Sequence, residues 1–291
     1  MSSKTKVLIL SAAIALIGTG IWWFAATSPT SRQDNDSIRT PTTGVPKITI
    51  DANSVPAPHT TTTTSLSSSA NRSVRVRHLS GRAYVVEDFG RVPSGTVDKV
   101  VAELSPLAMA GDATASYGIF LKLNECANIN RRASRGAALQ ASPDVAAACN
   151  DLSAENEVSS SKWLSLAAEQ GNIGARLLYA ADSESALGGP AELLRNPDRA
   201  KEYKQTAVSY LQEMASQGSA DALLQLGNAY HAGVLIDEDQ VTSRAYFEAV
   251  RLMDPSIVPA RQVSTLDKSL SGEQLSLALR KGNQIYDSCC R

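Results

Sequence analysis

At 291 residues the chain has room for one or two domains. A formal net charge of −1 and a pI of about 6.3 leave no excess of basic side chains, which removes the electrostatic basis for nucleic-acid binding. Hydrophobic residues make up 43% of the chain but aromatic ones only 5%, so alanine and leucine must carry the interior, a composition that suits close helix packing better than a sheet core.

In chain order, residues 1–6 carry Lys4 and Lys6 and are expected to form a short cytoplasmic tail. Val7–Ala26 is a run of twenty residues without a charge, polar only at Ser11 and Thr19. As a helix it would span roughly 30 Å, the thickness of a hydrocarbon core. The positive charges before it predict an N-terminus in the cytoplasm and a remainder outside it, and Trp22, Trp23 and Phe24 stand where interfacial aromatics belong. The competing expectation, a cleaved signal peptide, meets a long apolar core and bulky residues at the sites where cleavage needs small ones. Residues 27–73 are rich in Ser, Thr and Pro, with an unbroken threonine run at Thr60–Thr64, and predict a disordered linker. Residues 74–96 are open between short strands (Val74, Val76, Tyr84–Val86) and an extended lead-in.

From Val97 to the C-terminus the pattern is helical. Val97, Val100, Val101 and Leu104 follow 3.6-residue spacing, with Pro106 expected to bend or restart that helix. Further helices are expected over about 112–128, from Ser142-Pro143-Asp144, over 158–170, over 172–182, from Asn196-Pro197-Asp198 to Gly218, over 219–231, over 238–253 and over 272–287. Three glycines organise them. Gly111, Gly171 and Gly218 each have leucine seven residues before (Leu104, Leu164, Leu211), alanine three before (Ala108, Ala168, Ala215) and alanine four after (Ala115, Ala175, Ala222). Small residues at fixed offsets mark close helix contacts, and the glycine marks the turn between two helices.

These motifs resemble a known family. Ala222-x-x-x-Leu226-Gly227-x-x-Tyr230-x-x-Gly233 looks like the first helix and turn of a Sel-one-like repeat, a tetratricopeptide-type unit. The second helix of that repeat is matched by Trp163…Ala168-x-x-Gly171 and by Tyr210…Ala215-x-x-Gly218, over roughly residues 97–254 in all. The glycine spacings of 60 and 47 exceed one such unit, so insertions are expected at 129–157 and 183–196; Glu103 stands where an aromatic belongs, and Asp254 replaces a closing glycine. The resemblance implies an all-α fold, a short solenoid of antiparallel helical hairpins across 97–291, and a concave face that holds a protein or peptide partner. It implies a scaffold rather than an enzyme, needing neither cofactor nor metal.

Candidate chemistry is sparse. Cys126, Cys149, Cys289 and Cys290 form no CxxC and lack spaced histidine partners. Outside the cytoplasm a Cys126–Cys149 disulfide would staple the first insertion, whereas two buried thiols are the alternative; Cys289 and Cys290 are open between an intermolecular or distant bridge and free tail thiols. His231 is expected at a helix end, and His78 lies far from it in sequence. Arg131, Arg132 and Arg135 form one basic cluster, and Arg72, Arg75, Arg77 and Arg82 another, which would touch an acidic partner or simply face solvent. The expected function is a membrane-anchored extracytoplasmic, periplasm-type adaptor, held by residues 7–26; a cell-wall hydrolase with a helical domain is the alternative.

Overall fold

In the computed structural model of the chain, residues 73–136, 141–188 and 195–291 are described, and all fall in one compact unit, Thr61–Arg291. The expected cytoplasmic tail and transmembrane helix, and the expected linker up to residue 72, lie outside the described residues. Among the described residues, no helix is long and apolar enough to cross a membrane.

The unit opens with a hairpin. Strand β1 (Arg75–His78) pairs antiparallel with β2 (Tyr84–Asp88), in the register Val76↔Val86 and His78↔Tyr84. The expectation for 74–96 thus resolves to strands, and the described residues from Val97 onward form helices and their connections. Alternation explains the docking. Tyr84 and Val86 point inward while β1 stays exposed along its length.

Helices follow in series: α1 (Val97–Met109), α2 (Ala113–Ser134), a short α3 (Pro143–Ala147), α4 (Ala154–Glu169), α5 (Ile173–Ala181), a short α6 (Ser183–Leu187), α7 (Pro197–Ser216), α8 (Ala220–Ala232), α9 (Gln240–Met253), α10 (Ala260–Ser269) and α11 (Gly272–Cys289). The long helices pack in chain order: α1 on α2, α2 on α4, α4 on α5, α5 on α7, α7 on α8, α8 on α9, and α9 on α11. Such nearest-neighbour packing is the signature of a helical array, in which each hairpin buries its apolar face against the next.

Caps set most of the boundaries. Thr96, Asp112, Ser142, Ser153, Asn172, Asp182, Asn196, Ser219, Asp239 and Ser271 each accept a first-turn amide on a side-chain oxygen. Ser271 and Gln274 complete a reciprocal capping box. Four expectations change. Helix α1 runs through Pro106 without restarting, because the proline sits in its last turn and a half. Helix α2 continues to Ser134, six residues past the expected end, so Arg131 and Arg132 belong to its last turn, where cations suit the negative end of the helix. Helix α4 starts at Ala154 rather than Val158, behind the cap Ser153. Helix α10 was not expected; its one buried residue is Leu266, too few for a clear periodic signal.

The interior forms two clusters. A smaller one gathers Val97, Val100, Leu104, Ile119 and Leu123 with Cys126 and Cys149. A larger one runs from Ala83 and Phe120 through Leu164, Leu177, Leu211 and Leu223 to Cys290. Trp163, half-buried, packs against both. Beyond them a buried ionic knot, Arg244 with Glu248 (3.1 Å) and Asp267 (2.6 Å), ties α9 to α10.

Candidate functional site

The three repeated glycines build one local structure three times. Gly111, Gly171 and Gly218 have φ of 98°, 92° and 94°, a region that favours glycine. Each donates its amide to the alanine three residues before it: Ala108, Ala168 and Ala215. The next residue donates to Leu107, Ala167 or Met214, five residues back from it. That same residue (Asp112, Asn172 or Ser219) then caps the following helix by accepting from the amide of Ala115, Ala175 or Ala222. One helix is closed and the next opened within a few residues.

The flanking signature positions are packing positions. Leu104, Leu164 and Leu211 are 3%, 0% and 1% exposed, and the six alanines are all buried. Gly227 lets the Phe247 ring approach, since a Cβ there would stand 3.0 Å from it. Gly233 ends α8 at φ 67°, and Tyr230 stacks on Tyr246 with centroids 5.7 Å apart. Trp163 bridges the two clusters, while Tyr210 lies under the Arg176 guanidinium at 5.0 Å. None of these residues presents reactive chemistry; together they set the spacing of the hairpins.

Gly218 has a second role. A Cβ there would stand 2.6 Å from the Arg82 carbonyl oxygen, whereas Gly111 and Gly171 face open space. The β-hairpin docks at this turn: the Tyr84 amide donates to the Gly218 carbonyl (2.9 Å), and the Val86 amide donates to the Asp221 carboxylate (2.8 Å). Burial pushes the Asp221 carboxyl above its usual range, against the pull of that amide. On the other side, the Arg82 amide donates to the Cys290 carbonyl (2.9 Å) and its guanidinium to the Ser288 carbonyl (2.8 Å). The hairpin therefore joins the start of the folded unit to its end.

All four cysteines are disulfide-bonded: Cys126 to Cys149, 23 residues apart, and Cys289 to its neighbour Cys290. Cys126 lies inside α2, and Cys149 lies just past α3. Glu125 is near the first pair, but sulfurs held in a disulfide are not thiolate ligands. The second basic cluster is engaged within the fold. Arg75 pairs with Asp88 and Arg77 with Glu87, each at 2.8 Å, and Arg82 serves the C-terminus; Arg72 lies outside the described residues. His231 Nδ1 shares a 2.8 Å hydrogen bond with Gln240, and His78 sits on exposed β1.

Two clefts border the second insertion. The larger, about 790 Å³, lies between α2, α4 and α6 and is lined by Asn128, Arg131, Arg135, Glu157, Lys162 and Glu184 among others. Its walls mix both signs of charge with amides and hydroxyls, a surface suited to polar recognition. Asp182, also in its wall, spends its oxygens on capping Glu184 and Ser185. The smaller, about 200 Å³, lies between α4, α5, α6 and α7 and is lined by Tyr179, Tyr203 and Tyr210. Burial, reinforced by neighbouring groups, raises the Tyr179 and Tyr203 hydroxyls to about 12, so both stay neutral. The repeat pattern pointed to Tyr210 alone; Tyr179 and Tyr203 carry no motif and meet it only through packing.

No family model matches the chain, and no curated protein does. Among solved structures, c5321, a protective antigen of uropathogenic Escherichia coli displaying an SLR fold, aligns at 17% identity with a TM-score of 0.31. The alignment covers 65% of this chain and 41% of that one, so the chain spans about two fifths of the length of the protein it matches.

Proposed function

We propose that the chain is a membrane-anchored adaptor whose helical array holds a protein partner outside the cytoplasm. The observation that carries the scaffold reading is the thrice-repeated turn, which stacks hairpins in series and leaves their polar faces and clefts free for contact. Two disulfides agree with an oxidising compartment. The anchor rests on the uncharged run Val7–Ala26 and the lysines before it. The cleft between α2, α4 and α6 is the surface assigned to the partner, because the insertion shapes it and its walls carry both signs of charge.

The test is site-specific photocrosslinking of the full chain in its own membrane. A photoreactive residue replacing Asn128 or Lys162, in the cleft wall, is expected to give one discrete adduct. The same residue at exposed Gln284, on α11, is expected to give none. Equal labelling from all three sites, or none from any, would overturn the assignment.

A further inference from the structure

The smaller cleft has properties the scaffold reading does not require. Its Tyr179 ring is packed against Tyr203 (centroids 5.3 Å) and edge-on to Tyr210 (5.6 Å). Tyr179 is only 9% exposed, and among the described residues no hydrogen bond engages its hydroxyl, while Tyr203 donates to the Ala180 carbonyl at 3.3 Å. Among the described residues the one buried side-chain oxygen without a partner is Gln225 Oε1, so the Tyr179 hydroxyl is open to solvent. Tyr179 lines an open cavity, in the field of the Glu169 and Glu202 carboxylates, which add to burial in holding its hydroxyl neutral. Both glutamates line the same wall and are exposed. Arg199 also lines it and has its own interaction. Two carboxylates against one guanidinium leave the wall negative.

Size narrows the occupant. Pockets for drug-sized ligands run from roughly 300 to 1,000 Å³. At about 200 Å³ this cavity is smaller, with room for a single side chain. Neutral phenol oxygen, ring faces and carboxylates together favour a cation. An alkylammonium offers three donors, enough for the Tyr179 hydroxyl and both glutamates. The neighbouring Arg176 guanidinium already lies over the Tyr210 ring, 5.0 Å from its centroid, and is also paired to Glu213 at 2.9 Å.

We propose that the cavity between α4, α5, α6 and α7 binds an alkylammonium group, the end of a lysine side chain presented by a partner, through Tyr179, Glu169 and Glu202. The proposal extends the scaffold reading by one anchoring pocket. A failure here would leave the photocrosslinking result at the larger cleft untouched, so the two can fail separately.

The test titrates the full chain in detergent with Nα-acetyl-lysine methylamide, and separately with the norleucine and glutamate analogues, following tyrosine ring signals by NMR. The lysine probe is expected to saturate with a Kd on the order of millimolar, shifting Tyr179 and Tyr203. Norleucine, which keeps the chain length and lacks the charge, is expected to leave them in place. Tyr179→Phe removes only the hydroxyl and Glu202→Gln only an exposed charge; each is expected to weaken the lysine probe by about fivefold. The proposal is overturned by equal binding of norleucine, by tighter binding of the glutamate analogue, by no saturation with lysine, or by unchanged affinity in both variants. Glu202 is exposed, so its variant reports even if Tyr179→Phe perturbs the packing.

Discussion

At the scale of single residues, the three glycines look alike in sequence and are unlike in context. All three need a positive φ, which costs an L-residue about 1–2 kcal/mol. Gly171→Ala is therefore expected to lose roughly 1 kcal/mol in urea denaturation, with the rest of the fold unchanged, since a Cβ there meets nothing within 4 Å. Gly218→Ala should lose more, by a further 1–3 kcal/mol or so, because its Cβ would collide with the Arg82 backbone. The extra loss should appear as faster amide exchange at Tyr84 and Val86. Equal losses at both positions would show that the hairpin does not press on this turn. The repeat pattern marks the shared need for glycine. It is silent on the second need at Gly218, because the colliding atom comes from a segment more than a hundred residues earlier in the chain.

At the scale of elements, the ionic knot of α9 explains why α10 holds its place with one buried residue. Glu248 accepts from Arg251 and Arg244, and those bonds, with Arg251 first, keep its carboxyl below the usual range. Arg244 reaches on to Asp267 of α10. Because the folded-state value is depressed, this contribution to stability is full above the ordinary glutamate value of 4.5 and is lost as pH falls through the lower, folded value. Glu248→Gln is expected to cost about 3 kcal/mol at pH 7, since it leaves Arg244 buried with one carboxylate fewer. The variant should also show a shallower loss of stability below about pH 4.5 than the parent chain. Parallel acid-unfolding curves for the two proteins would contradict this role. Helix α10 itself was not legible beforehand: a single buried leucine gives no periodicity, and the helix is held by a charge on its neighbour. Helices α5, α7, α8 and α9 were legible because each carries both a cap and an apolar stripe.

At the scale of the whole molecule, covalent links and the hairpin bound the array at both ends. The Cys126–Cys149 bond joins residues 23 apart in the chain, and breaking it by paired replacement with alanine is expected to cost about 3 kcal/mol by loop-closure entropy. A non-reducing peptide map should recover Cys126 with Cys149 and Cys289 with Cys290. A cross-pairing would mean that the C-terminus does not sit against the hairpin as described. The Arg82 contacts to Ser288 and Cys290 tie the turn between the two strands to the last turn of α11.

The amino-acid sequence by itself determined the helical class, the three turns and the helix starts at Ser142 and Asn196. These are local: a glycine at positive φ, a capping oxygen one residue later and an alanine amide three beyond that all lie within a few bonds of one another. It also determined the uncharged N-terminal run on which the membrane proposal depends, and the short reach of the first insertion between its two cysteines. The tertiary structure decided what distance in the chain conceals. It placed Arg82 against Gly218 and Cys290, folded 75–88 into a hairpin where residues 74–96 alone left strands and an extended lead-in equally open, and gathered Tyr179, Tyr203 and Tyr210 around one cavity. Those arrangements arise from packing between segments that share no periodicity, so no pattern within either segment could announce them.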